Sequence, residues 1–192
     1  VRRFRTRSGM SLYLLEAETF PGHVNNLYLV DARTRPSGGI HDLLLLDAGS
    51  QFEQSQKDLS QARAVLDKLF EQGDLLDRVR HVVISHGHVD HFGGIAEWKK
   101  RGARVYAHPF DTRVLTNFSE RLIETSVYLR DFLAFAGCAT AEIEAMTAMH
   151  TESKRMFANV PVDDELYDGQ DLHGLRVHHV PETDLAADLV EQ

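Results

Sequence analysis

Between His81 and Gly94 the chain reads HVVISHGHVDHFGG, which places His86, His88, Asp90 and His91 within six positions. Imidazole nitrogen and carboxylate oxygen are the usual protein ligands of Zn²⁺ and similar divalent ions. Val82, Val83 and Ile84 just before them have the β-branched, apolar character of a short buried strand. In extended chain His86 and His88, two residues apart, point the same way. Asp90 and His91 follow where the chain turns into a helix, so they can face the same pocket from another side. That suits two neighbouring cation positions, an arrangement that clamps and attacks an ester-like substrate. A single histidine is more often a solvated or hydrogen-bonded residue, but four ligand types this close together after a strand are hard to obtain that way.

The segment SHGHVDHFGG resembles the HxHxDH signature of the metallo-β-lactamase superfamily, with the glycines that usually follow it. Asn26–Asp31, Leu43–Gly49, Val105–His108 and Asp168–Val180 are similar to successive landmarks of that family, so the resemblance covers most of residues 20 to 181. It implies an α/β fold, a four-layer αββα sandwich, whose members mostly hydrolyse lactams, thioesters, lactones, phosphodiesters or related bonds. A minority carry out redox chemistry at iron. The resemblance assigns His86 and His88 to one cation, and Asp90 and His91 to a second. Asp90 is also the catalytic residue that orients the attacking water. The implied cofactor is Zn²⁺, one ion or two, with Fe or Mn as alternatives. Asp47 takes the place of an aspartate that lies beneath the metals and holds ligands or loop backbone by hydrogen bonds, a role that tunes ligand orientation. Capping of the coming turn is its other reading.

The likeness fails near the end. Relatives continue a strand like LRVHHV into Pro-Gly-His, whose histidine completes the first metal site; here the chain reads Pro181-Glu182-Thr183-Asp184. Thr183 stands where that histidine would be, and a hydroxyl is a poor replacement for imidazole at zinc. The local substitutes are Asp184, Glu182, or one of His178 and His179, which point to opposite faces if both lie in a strand. Weakened or mononuclear binding is the expectation. The strands that finish the second sheet have no counterpart either, so the sandwich is expected with its second half incomplete. An exposed apolar face and strand edge are unfavourable in a monomer. A homodimer covering the incomplete sheet is one answer; a helical segment at Leu185–Val190 or a longer parent protein are others.

The elements that must position the motif read as follows. Leu12–Glu16 and Asn25–Val30 alternate as strands joined through Phe20-Pro21-Gly22-His23, with His23 a solvated loop histidine near a substrate-side loop. Pro36 to Gly39 is a turn cluster, and Asp42–Leu46 an apolar strand. Leu59, Ala62, Val65, Leu66, Leu69 and Phe70 recur at helical spacing over Gln54–Gln72, with Gly73 as a stop. Strand His81–Ser85, a helix through Ile95 and Trp98 begun by a sharp turn at Gly93-Gly94, and strand Ala103–Ala107 continue an α/β layer. His108 is read as structural or pocket-edge. From about 110 to 160 two helices form an insertion, one with Leu122, Ser126, Leu129, Leu133 and Ala136 on a face, the other with Ile143, Met146, Met149 and Phe157. The pair resembles the lid-type insertion of some family branches, whose apolar side chains contribute to a substrate pocket, but the stripes read first as helix–helix core, and His150 as exposed. Asp168-Gly169 reads as a hairpin turn before the strand Leu175–Val180.

The 192 residues are expected to form one domain, with 43% hydrophobic and 26% charged residues in the globular range. A net charge of −8 argues against nucleic acid as a partner. The longest apolar run, Leu43–Leu46, cannot span a bilayer, so no membrane partner is expected. Cys138 is the only cysteine, which points to a reducing, cytoplasmic setting. The expected function is metal-dependent hydrolysis of a small ester-like substrate, such as a thioester or lactone, by metal-activated water. The alternative is a truncated, non-catalytic metal-binding relative.

Overall fold

The structure, a computed structural model, describes residues 1–7, 9–31, 43–70 and 75–180. Four strands pair antiparallel in succession: β1 (Arg2–Arg5), β2 (Ser11–Phe20), β3 (His23–Asp31) and β4 (Leu43–Leu46). From β4 the sheet continues in parallel through β5 (Val79–Val83), β6 (Arg104–Ala107) and β7 (Asp164–Glu165). Parallel neighbours need crossovers. α1 (Glu53–Phe70) joins β4 to β5, and the short α2 (Val89–Phe92) and α3 (Ile95–Lys100) join β5 to β6. Between β6 and β7 the chain runs through α4 (Pro109–Thr116), α5 (Phe118–Phe135) and α6 (Thr140–Lys154). β8 (Asp171–Leu172) and β9 (Leu175–Arg176) form a separate two-stranded ribbon.

Strand alternation sorts the side chains onto two faces. Tyr13, Leu15, Leu27, Leu29, Leu43, Leu45, Val82 and Val105 are buried on one face, against Leu59 and Leu66 of α1, Phe92 of α2, and Ile95 and Trp98 of α3. Each such aliphatic or aromatic side chain contributes about 1.5–3 kcal/mol relative to exposure. On the other face Met10, Val30, Leu44 and Tyr106 make a smaller cluster with Leu166 and with Leu172 of the ribbon. The parallel strands therefore finish at a common edge, where Asp47 N–H donates to Val83 O (2.8 Å) and Ile84 N–H to Tyr106 O (2.9 Å). That edge is where open α/β sheets place their chemistry.

Several expectations need correction. β2 is twice as long as Leu12–Glu16, because burial alternates on through Ala17 and Thr19. The insertion contains α4 as a separate helix, with His108 at its N-cap accepting from Phe110 N–H (3.4 Å). Of the second stripe Phe157, beyond the end of α6, is core, but no residue of that helix itself is buried, and Met146 and Met149 are exposed. On α5 the core-facing reading holds for Leu122 and Leu133, while Ala136 is exposed. Gly93 (φ −58°) and Gly94 (φ −83°) adopt ordinary right-handed backbone, so no sharp turn demands them. Space does: a Cβ on Gly94 would lie 2.2 Å from Ala48 O, and one on Gly93 2.4 Å from the Phe157 ring. The β8–β9 hairpin turns at His173-Gly174 rather than at Asp168-Gly169, and Val177–Val180 lies beyond its strand. The Pro36–Gly39 turn, Asp42, the Gly73 stop, Glu182, Thr183, Asp184 and the Leu185–Val190 segment lie outside the described residues.

Candidate metal centre

Strand β4 ends in Asp47, which adopts left-handed backbone (φ +64°), a region aspartate tolerates better than most residues. This turns its buried carboxylate across the loop that follows β5. Oδ1 accepts from Ser85 N–H (2.8 Å), while Oδ2 lies 3.0 Å from Ser85 Oγ and 2.9 Å from His91 Nδ1. Against a carboxylate, His91 Nδ1 is the protonated nitrogen, and Nε2 keeps its lone pair. On that side Asn25 Nδ2 approaches Nε2 at 3.1 Å and also donates to Asp90 Oδ2 (2.8 Å). His91 Nε2 and Asp90 Oδ2 are 3.4 Å apart.

A second donor pair lies alongside. Ser85 Oγ, 3.0 Å from His86 Nδ1, holds that ring by its inner nitrogen, and His86 Nε2 lies 2.9 Å from His88 Nδ1. The His86 and His91 rings approach to 4.0 Å between centroids, so the pairs are neighbours. Two donors about 2.0–2.1 Å from one tetrahedral cation stand about 3.3 Å apart. The Asp90–His91 spacing is near that value, whereas His86 Nε2 and His88 Nδ1 stand at hydrogen-bond distance. Among the described residues, however, no three His, Cys, Asp or Glu side chains stand together in metal-holding geometry. The donors form two halves of a site: His86 with His88, and Asp90 with His91. Donor chemistry and the held far nitrogens suit divalent cations; a further nitrogen, His23 Nε2, lies 3.3 Å from Asp90 Oδ2 without completing a group of three in metal-holding geometry among the described residues.

The electrostatics favour an ionised Asp90. Burial pushes its carboxyl up, but the Asn25 hydrogen bond, then His91 and His23, outweigh this and hold it below the usual carboxylate range. His23 Nε2 is 3.3 Å from Asp90 Oδ2. Lys154, half-buried in the last turn of α6, also feels Asp90: burial depresses its pKa and the carboxylate partly restores it. Asp111 of α4 accepts from Gly87 N–H (2.8 Å) and anchors the loop between the two histidines. Burial raises its pKa, against the pull of Gly87 N–H and of His86, His108 and His179.

Of the residues singled out in the sequence, His86, His88, Asp90, His91 and Asp47 come together here. His179 does not join them directly: it stacks on His108 (3.8 Å, 14° between rings). His150 is partly buried on the side of α6 that faces Thr125 (3.5 Å). His23, read as a solvated loop histidine, stands at the site instead, and Asn25, Ser85, Asp111 and Lys154 were not predicted. Only Asn25 left a trace in the sequence. It shares strand parity with Leu27 and Leu29, so an amide falls where the alternation demands an apolar side chain.

A sequence model of the metallo-beta-lactamase superfamily matches residues 22–186. No curated protein sequence matches significantly. Among solved structures, a metallo-beta-lactamase family protein of Thermus thermophilus superposes with a TM-score of 0.59 at 24% identity, covering 87% of this chain and 50% of its own. BJP-1, a subclass B3 metallo-beta-lactamase of Bradyrhizobium japonicum, gives 0.50 at 18% identity, with 88% and 49% covered. A beta-lactamase domain protein of Burkholderia ambifaria also gives 0.50 at 18% identity, with 88% and 44% covered. The likeness at these identities is one of fold, and the chain spans about half the length of those proteins.

Proposed function

The chain belongs to the metallo-beta-lactamase superfamily, and from that premise we propose that it serves as a metal-dependent hydrolase of a small ester-like substrate, a thioester, lactone or similar bond. The observation that carries the reading is the gathering of four metal-ligand types after β5, with His86 Nε2 beside His88 Nδ1 and Asp90 Oδ2 beside His91 Nε2. A bound divalent ion, zinc in the first instance, would bring water's pKa towards about 7 and polarise the scissile carbonyl.

The chain's own groups supply the rest. Asp47 fixes the His91 ring and, through Ser85, the His86 ring by their Nδ1 atoms, which leaves Nε2 of each as the nitrogen for a ligand. Asp90, kept ionised by Asn25, accepts a hydrogen bond from water and aligns it for attack. Among the described residues no helix is long and apolar enough to cross a membrane. The single cysteine favours a reducing, cytoplasmic setting.

A second reading, a non-catalytic metal-binding relative, is favoured by one observation: neither donor pair is completed to a group of three in metal-holding geometry among the described residues. Elemental analysis of protein purified without added metal, paired with turnover of a generic ester and a thioester, separates the two. Hydrolysis predicts bound metal and turnover that falls at least a hundredfold in His88→Ala, on the order of effects from losing a catalytic group. Metal without turnover of either substrate supports the second reading, and protein that takes up no metal overturns both.

A further inference from the structure

The helical hairpin α5–α6 joins the main core at Phe118 and Leu122, and its outer half carries an apolar surface that no described residue covers. α6 packs on α5 and buries no side chain of its own. Isolated helices of this length are marginal in water, and most owe their stability to a packed face. Two contacts set how the helices lie together: Ser126 Oγ to Thr151 Oγ1 (3.1 Å) and Thr125 Oγ1 to His150 Nε2 (3.5 Å). Antiparallel continuation of that register brings Tyr128 level with Met149, and Phe132 level with Met146. At 100° per residue these four, with Phe135, fall on the Thr125–His150 side of the hairpin.

Their exposures are those of an unburied core: Tyr128 65%, Phe132 64%, Phe135 91%, Met146 43% and Met149 69%. Tyr128, Phe132 and Phe135 repeat at i, i+4 and i+7, the seam of a packed helix. Phe132 to Ala141 reads FLAFAGCATA, between Asp131 and Glu142, and Glu142 is held at the tip by Ala139 N–H (2.9 Å). Aromatic residues and methionine are the types enriched in interface centres. Together the five side chains present roughly 650 Å² to solvent, counting about 150–250 Å² for each large side chain in full. That exceeds the few hundred Å² that monomers usually leave in one patch.

We propose that this face pairs with the same face of a second copy, giving a four-helix bundle about a two-fold axis perpendicular to the hairpin near Phe132. A two-fold interface brings one patch against itself, so the buried area doubles to roughly 1,300 Å², inside the range of specific dimers. The perpendicular axis also sends the two bodies to opposite ends of the bundle. With a net charge of −8 on each chain, this is the arrangement that repulsion favours. The proposal is independent of the metal centre and places the dimer contact on the hairpin rather than on the second face of the sheet.

Sedimentation velocity of the whole chain at roughly 50 µM, a concentration at which a micromolar dimer is mostly formed, tests it. The expected result is a dimer that becomes a monomer in Phe132→Glu and in Met149→Glu, with unchanged far-ultraviolet circular dichroism. Tyr128→Phe, which keeps the apolar area, stays dimeric. A monomeric wild type overturns the proposal, as does a dimer that survives both glutamate variants. If a glutamate variant loses its helical signal, cross-linking of folded wild-type protein decides: bonds between α5 or α6 of the two copies support the bundle, and bonds confined to the sheet overturn it.

Discussion

Asp47 Oδ2 and His91 Nδ1 lie 2.9 Å apart although 44 residues of chain separate them. The contact joins the end of β4 to the single helical turn after β5, and it decides which nitrogen of His91 is left to bind. A carboxylate behind a ligating imidazole fixes its tautomer and raises its basicity. Asp47→Asn keeps a residue that tolerates the left-handed backbone at this position while removing the charge. Metal affinity is expected to fall about 10–100-fold, read by competition with a coloured chelator. Unchanged affinity would remove Asp47 from the site.

Asn25 makes the corresponding contact on the other donor of that pair. Its amide offsets the burial that otherwise raises the Asp90 carboxyl. With the folded pKa depressed, Asp90 stays ionised above its ordinary value of about 4 and protonates only as pH falls below it. Asn25→Ala removes the largest favourable contribution, so protonation of Asp90 in the metal-free protein should move to higher pH. The Asp90 carboxyl-carbon resonance of the metal-free protein, followed by NMR from pH 7 down to pH 3, gives the comparison, and overlapping curves for the two proteins would show that the amide has no such effect.

At Gly94 the constraint is steric. Ala48 O lies where a Cβ would go, and it cannot retreat easily because Ala48 N–H donates to His91 O (2.7 Å) and Gly94 N–H to Gly49 O (2.8 Å). Gly94→Ala should destabilise the fold by about 1–3 kcal/mol, the cost usual for overpacking. A urea midpoint equal to that of the wild type would mean that the loop yields.

Asp163 provides an acid-stability test away from the metal centre. Burial raises its carboxyl, but Lys99 Nζ (2.7 Å) and Val105 N–H (2.7 Å) bring it below the usual range. A depressed folded pKa contributes stability that is present above about pH 4 and lost as pH falls through the folded value. Asp163→Asn should therefore lower stability at neutral pH and make it less dependent on pH between about 5 and 3. Thermal unfolding across that range measures it, and parallel curves would contradict the assignment.

The motif and its strand were legible because local chemistry and alternation agree there: Leu43–Leu46 and Val82–Val83 form strands in the structure, and α1 covers nearly the span its periodicity marks. The reading failed where a residue's environment comes from distant chain. Ser85, Asp111 and Lys154 are ordinary polar residues until the fold sets them beside Asp47, Gly87 and Asp90. The stripe of α6 has the spacing of a buried face, but periodicity records that a face is apolar and not what covers it.

The clamp on His91 also bears on what a fragment of this protein can do. A synthetic peptide spanning His81–Gly94 would carry every imidazole and carboxylate of the motif, but neither the Asp47 oxygen nor the Asn25 amide that orient them. Those partners arrive only when the hairpin of β2 and β3 and the end of β4 have docked beside β5. Chelation by such a peptide should therefore be weak and unselective, and in the intact chain tight capture of an ion becomes a sign that tertiary assembly is complete.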